Sequence, residues 1–410
     1  MTTTLDLDWI RAQYPALTDD WALFDNAGGS VPLQGVVDRV HDYMSHRQVN
    51  PGASYALSAD ATERVAEGAR AMAWLVNAEP DEVVLGSSAT MLVRLLAAGL
   101  APRFAPGDEI IVTNLDHEAN IAPWREFEER GVVVREWKFD PASGELTAAG
   151  LDALLSPRTR LVCFTHVSNL VGTIHDAGAF VSRIHEAGAM ACVDGVAFAP
   201  HRRVDVRAIG ADFYFLSLYK LSGPHEGLLY ARRDRLRATR SLAFGFLGDD
   251  LGPYRLQPGN VNHELTASLP AIPEYLLALD AHHHGPAAAD DGARLARAYG
   301  AIAAYEAALS QPVLDFLAGR RRVRLLGLAD ANPARRVPTI SFTVEGRDSA
   351  EIPAALDRAG VAIRFGDFYA RRAAEALGLL PLNGVVRISM VHYNTRAEVE
   401  RLLAALDQAI

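Results

Sequence analysis

From about residue 62 to residue 231, the chain alternates between two hydrophobic rhythms. Residues 62–76 put Val65, Ala69, Met72 and Leu75 on one stripe at helical spacing. Short apolar runs then follow one another with helix-length segments between them. They are Glu82–Leu85, Glu109–Thr113, Val132–Trp137, Arg160–Val167, Ala189–Asp194, Phe213–Leu218 and Gly227–Ala231. Runs this continuously apolar leave no face for water, as in a mostly parallel sheet covered by helices on both sides. The pattern predicts an α/β fold built on a seven-stranded sheet.

After about residue 265 the rhythm changes. An alanine-rich helical region spans roughly 287–319, preceded by a solvated loop at His282, His283 and His284. The runs Thr339–Val344, Val361–Arg364 and Val385–Met390 then alternate with helices, the last of which opens at Thr395 with Glu398 as a capping box. At the other end, residues 1–20 read as an arm with a short helix, and Ala22–Pro32 as a strand entering a glycine-rich turn. This organisation predicts an arm (1–20) packing with a small domain, a large domain (21–270) and a smaller α+β C-terminal domain (271–410).

Composition narrows the function classes. The chain has 410 residues and a formal net charge of −10, with no basic stripe of the kind that binds nucleic acid. No apolar run approaches the roughly 18 residues of a membrane span, and the N-terminus lacks a signal-peptide pattern. The two cysteines, Cys163 and Cys192, sit in separate apolar runs and read as core residues. The histidine run has no acidic partners at ligand spacing, so no metal site is expected. A cytoplasmic location is the expectation.

The chemistry gathers at strand ends, where ligands of parallel sheets bind. Lys220 follows an apolar strand and precedes Gly223-Pro224. Poor solvation there lowers an amine's pKa and favours attack on carbonyl groups, although a snorkelling lysine fits the stretch equally well. Asp194 ends another apolar run, where a carboxylate needs a partner and suits a pyridine nitrogen. His117 follows the run Glu109–Thr113. Gly86-Ser-Ser-Ala-Thr90 lies between strand and helix, a setting for a phosphate or for a plain helix cap. No Gly-x-Gly-x-x-Gly follows any predicted strand, which excludes a nicotinamide enzyme of the usual kind.

Amine, carboxylate, aromatic face and phosphate cup are together what pyridoxal 5'-phosphate requires. Their order resembles the class V aminotransferase family of fold-type I PLP enzymes, in particular its cysteine desulfurase and selenocysteine lyase branch. The likeness rests on Asp116–Trp124, Thr165–Thr173, Val193–Gly195, Asp212–Pro224 and Arg387–Thr395. It implies that Lys220 holds the cofactor as a Schiff base, Asp194 pairs with the ring nitrogen and His117 stacks on the ring. It implies phosphate contacts from Ser88, Ala89 and Ser217, and from Asn260 across the interface of an obligate homodimer. It implies further that Asn169 contacts cofactor or substrate, that Arg387 clamps the substrate carboxylate, and that Ala27, Gly28 and Tyr369 border the substrate.

The departures bear on the reaction. Tyr369 occupies the position of the desulfurase's nucleophilic cysteine, so persulfide formation by the usual route is not expected. Ala197 replaces a glutamine that bonds the ring's phenolate oxygen, with His201 as a candidate substitute, and Tyr219 replaces the histidine before the lysine. The resulting expectation is a PLP enzyme on a small amino acid, of C–S or C–Se lyase (β-elimination) type. Transamination, epimerisation and a non-catalytic scaffold are the alternatives.

Overall fold

The computed structural model describes residues 5–248, 251–285 and 290–410. Its strands are β1 (Ala22–Leu23), β2 (Val83–Gly86), β3 (Glu109–Thr113), β4 (Val133–Trp137), β5 (Thr159–Thr165), β6 (Met190–Asp194), β7 (Phe213–Ser217), β8 (Gly227–Ala231), β9 (Val323–Leu326), β10 (Thr339–Val344), β11 (Val361–Ala362), β12 (Arg364–Gly366) and β13 (Val385–Ser389). All seven apolar runs of the first part enter one sheet, in the order β2-β8-β7-β6-β5-β3-β4. Strands β4, β3, β5, β6 and β7 are parallel neighbours, and β8 runs antiparallel between β7 and β2.

Side-chain alternation explains why these runs are apolar throughout. Phe213 and Phe215 of β7 enter one core with Leu92, Val93 and Ile110, while Tyr214 and Leu216 enter another with Phe164 and Leu295. In the central strands both faces exclude water, so an unpaired polar residue there would be costly. The edge strand β4 is only half-buried and carries Arg135 and Glu136, both ion-paired. Cys163 and Cys192 face each other in register on β5 and β6, both fully buried and unlinked.

A four-stranded antiparallel sheet, β12-β13-β10-β9, is built from the C-terminal part and packs on helix Arg396–Ala409 through Ile340, Phe342, Val386, Ile388 and Leu402. Strand β1 pairs in parallel with β11, so the chain just after the N-terminal segment is tied to the C-terminal part. Within that segment a short helix spans Leu7–Arg11, and Arg11 binds Glu398 at 3.0 Å. The start of the expected arm, residues 1–4, lies outside the described residues, as do residues 286–289, which include the front of the alanine-rich region expected over roughly 287–319. That helix itself spans Asp291–Ala318.

The histidine run is not a loop. His282, His283 and His284 form the last turn of helix Ala271–His284, where histidine is favoured by the free carbonyls and the dipole. The Asp6 backbone N–H donates to His283 Nε2 at 2.8 Å, and His282 Nε2 lies 2.9 Å from Asp6 Oδ2. Among the described residues, no cluster has the makings of a metal site, and no helix is long and apolar enough to cross a membrane.

Candidate active site

The carboxyl ends of β5, β6 and β7 surround a cleft of about 460 Å³. Thr165, Asp194, Phe215 and Ser217 line it from the strands, His117 and Ala119 from the loop after β3, and Ala89 and Thr90 from the helix after β2. Lys220 and Tyr219 close it from the short turn after β7. Loops separated by a hundred residues meet here because parallel strands all release their chains at one edge.

Lys220 is buried, and its amine makes no hydrogen bond or ion pair with any described residue. Burial lowers its pKa to about 8; the Arg387 charge adds to this, while Asp194 and Asp25 oppose it. Asp194 Oδ1 accepts the Val196 N–H at 2.8 Å. Burial pushes this carboxyl up to about 6 against the effects of that N–H and of Lys220. Beneath it lies a second buried acid. Asp116 Oδ2 accepts the Thr165 N–H at 3.1 Å, and Oδ1 accepts an N–H of Asn120 at 2.6 Å. Burial and the nearby Asp194 raise Asp116 to about 7.

His117 Nδ1 accepts the Ala119 N–H at 3.1 Å, so a neutral ring carries its proton on Nε2. Burial lowers the ring's pKa to about 4, helped by Lys220 and Arg387. The imidazole is therefore neutral at physiological pH. Gly195 lets the chain after Asp194 pass close to Tyr214, because a Cβ there would lie 2.0–2.2 Å from the ring and hydroxyl atoms of Tyr214.

At the phosphate end, Ser88 caps helix Ala89–Leu100, its hydroxyl accepting the Met91 N–H at 3.1 Å. Ser88 is thus the helix cap, and the groups on the cleft wall are those of Ala89, Thr90 and Ser217. Gly227 brings β8 against this turn; a Cβ there would lie 2.4 Å from the Ala89 nitrogen. A helix N-terminus held open by a glycine suits an anion. With a free buried amine, a strand-end carboxylate and a neutral imidazole around one cleft, the residues present fit pyridoxal phosphate.

The remaining expected residues are distributed more widely. Asn169 lines the cleft, and its side-chain N–H donates to Phe368 O at 2.9 Å. Arg387 on β13 binds Asp25 at 3.3 Å and lies behind the cleft wall. Ala27 and Gly28 sit in the turn after β1: Ala27 N–H donates to Ser389 Oγ at 2.8 Å and Gly28 N–H to Asp25 O at 2.9 Å. Tyr369 stands at the mouth, 71 % exposed, with its ring centroid 5.2 Å from that of His117. Asn260 lies apart, in a separate groove with Tyr254, Gln257 and His263. His201 does not reach the cleft next to Ala197; its Nδ1 is 2.9 Å from buried Glu306.

Sequence reasoning did not pick out Thr90, Thr165, Phe215 or Asp116. Thr90 closes the quoted Gly86–Thr90 turn, and Thr165 and Asp116 open two quoted motifs, so their signal was present but unweighted. Phe215 carried none, being one apolar residue in an apolar strand.

The sequence model of the class-V aminotransferases matches residues 22–249 and 294–402. The chain belongs to the class-V aminotransferase family. Among curated relatives it is similar to the aminotransferase-like protein FGM3 of Gibberella zeae, 36 % identical with all of both chains covered. It is also similar to the cysteine desulfurase-like protein ustD of Aspergillus flavus, 33 % identical, covering 100 % of this chain and 92 % of that one. Among solved structures, the cysteine desulfurase CsdA of Escherichia coli superposes with a TM-score of 0.84 at 27 % identity, covering 99 % of this chain and 98 % of that one. This class-V protein is a PLP-dependent enzyme with the fold-type I architecture.

Proposed function

We propose that this enzyme breaks a bond at the β-substituent of a small amino acid, as a C–S or C–Se lyase of β-elimination type. The observation that carries the reading is the pairing of an unengaged buried Lys220 with a cleft that no cysteine lines. Cys163 and Cys192 are fully buried within the sheet, and burial holds the Cys163 thiol well above its ordinary pKa. Tyr369 stands where a persulfide-forming thiol would have to be. The printed names of the relatives, aminotransferase-like and cysteine desulfurase-like, support amino-acid chemistry without choosing its outcome.

In this reading Lys220 holds the cofactor, Asp194 holds its ring nitrogen, and Ala89 and Ser217 hold its phosphate, with Ser88 ordering the helix turn beneath. Bound there, pyridoxal phosphate supplies an electron sink that acidifies the α-carbon of the amino acid attached to it. Lys220 Nζ, with its pKa near 8, is then matched to taking the α-proton at neutral to mildly alkaline pH. His117 would hold the face of the cofactor ring, and its Nε2–H is the proton it could give to a departing group. Arg387 and Asn169 take the carboxylate. Asn260 reaches the phosphate of a partner copy in a homodimer, and the chain divides near residue 270 into the large and small domains. A cytoplasmic location accords with two free thiols.

Incubation of the holoenzyme with cysteine, cystine, serine and alanine, with and without keto acids, tests the reaction. Pyruvate with ammonia from a β-substituted amino acid is the expected result. A new amino acid appearing only with a keto acid would replace elimination by transamination, and sulfane sulfur released without pyruvate would overturn the lyase reading.

A further inference from the structure

Arg387 is sealed. It is 2 % exposed, Nη1 donates to Asn169 O at 3.2 Å, Nη2 donates to Asp25 Oδ1 at 3.3 Å, and buried Nε has no hydrogen-bond partner. The Phe368 ring covers the guanidinium, its centroid 3.6 Å from Cζ. The carbonyl of the same Phe368 takes the side-chain N–H of Asn169 at 2.9 Å. One residue therefore occupies both groups that would receive a substrate carboxylate. As the chain stands, a carboxylate entering the cleft reaches no N–H of Arg387.

The segment holding Phe368 is a strained turn held in place by its contacts. Phe368 and Tyr369 have φ of 52° and 60°, consecutive left-handed positions without glycine. Side-chain-bearing residues stay in that region only where contacts hold them. Here the Glu118 N–H donates to Tyr369 O at 2.7 Å, and Arg372 Nη2 pairs with Glu118 Oε1 at 3.3 Å. The turn is bounded by Gly366 at φ 136°, where an added Cβ would meet no atom closer than 3.9 Å, and by fully buried Ala370. Three residues, Asp367, Phe368 and Tyr369, lie between the end of β12, where Gly366 pairs with Val385 and its carbonyl packs against Gly384, and the buried anchor Ala370, so any displacement is confined to these three.

We propose that Phe368 gates the carboxylate subsite: it stands in for substrate on Arg387 and Asn169, and an amino acid binds by displacing it. This rests on the reading of Arg387 and Asn169 as carboxylate partners. The gate makes opening depend on the ligand's carboxylate, because only a ligand that binds the exposed arginine better than Phe368 does shifts the equilibrium. Apparent affinity is reduced by the fraction of molecules that are closed, so removing the ring restores it.

The test is equilibrium titration of the holoenzyme's cofactor absorption with L-alanine and with ethylamine, which lacks the carboxylate. In Phe368→Asn, whose side chain tolerates positive φ, the Kd for L-alanine is expected to fall on the order of thirtyfold, the value of a desolvated cation–π contact. The Kd for ethylamine stays unchanged. Phe368→Gly is the second variant and gives the same pattern. An L-alanine Kd that is unchanged or raised in both variants overturns the gate, as does an equal shift for ethylamine. Arg387→Ala separates the two ideas: if it leaves L-alanine binding unchanged, the carboxylate reading itself fails. If it weakens L-alanine while the Phe368 variants change nothing, the gate alone fails. Hydrogen exchange adds an independent readout, since L-alanine should speed exchange of the Glu118 N–H in the parent protein.

Discussion

The two ends of the seven-stranded sheet each bury acidic residues but treat them differently. At the amino end, Glu109 is met by Arg135 at 3.3 Å, Arg158 at 3.2 Å and the Ser156 hydroxyl at 2.6 Å. Burial would raise its pKa, but Ser156 and the two arginines outweigh burial and hold it below the usual carboxylate range. Asp212, just before β7, binds Arg235 at 2.8 Å, Arg232 at 3.1 Å and the Ala191 N–H at 2.8 Å. At the carboxyl end, Asp194 has one N–H for its buried charge, and the Lys220 amine makes no hydrogen bond or ion pair with a described residue, lying 6.0 Å from the centroid of the Tyr219 ring. Charges that are fully paired hold the fold; charges left short of partners mark where something else is to bind.

Substitutions can break this contrast. The largest effect should come from Lys220→Ala, which removes both the attachment point and the proton acceptor. The covalent cofactor band should disappear and turnover should fall on the order of 10³-fold or more, as read by absorption and product formation. A band that survives would end the assignment. At the other end of the sheet, Asp212→Asn should leave the cofactor spectrum intact and cost about 2–3 kcal/mol in denaturant unfolding, because it removes the buried carboxylate that Arg232 and Arg235 share and leaves Asp234 alone against both.

Asp194→Asn should sharpen the comparison by reversing the sign. Between about pH 3.8 and pH 6 the folded apoprotein retains a proton at Asp194 that the unfolded chain has released, so stability falls as pH rises through that window. The asparagine variant should match the parent near pH 3.8 and exceed it by about 1–3 kcal/mol above pH 6, while losing turnover. Equal thermal midpoints at pH 8 would mean that the carboxylate is better compensated than its surroundings show. The smallest effect belongs to Tyr369→Phe: 71 % exposed at the mouth, the phenol should change the L-alanine Kd less than about twofold.

Much of the site could be read in the chain because strand ends are local features. The abrupt change from apolar run to Asp194, to Ser217 or to the Lys220 turn is written in consecutive residues, and all of them line the cleft. Asn169 was legible through its motif. Ser88 was legible both as a helix cap and as a phosphate ligand; the Met91 N–H shows the cap, and the hydroxyl proton is left to give to a phosphate. The histidine run misled for a related reason. Polar residues after a helical stretch look like its end, but these three finish the helix and bind Asp6.

What the sequence determined by itself was the kind of structure and the kind of chemistry. Nearly continuous apolar runs separated by helices dictate a covered, mostly parallel sheet, and lysine, aspartate and histidine at its ends dictate what that edge can bind. The tertiary structure decided which of these groups face one another and in what state. Burial sets the pKa values of Asp194, Asp116, His117 and Lys220, and desolvation is a sum over every neighbour, most of them distant in the chain. The covering of Arg387 by Phe368 joins β13 to the turn after β12. Local periodicity carries no information about such a meeting, since it depends on how two elements pack and not on either one alone.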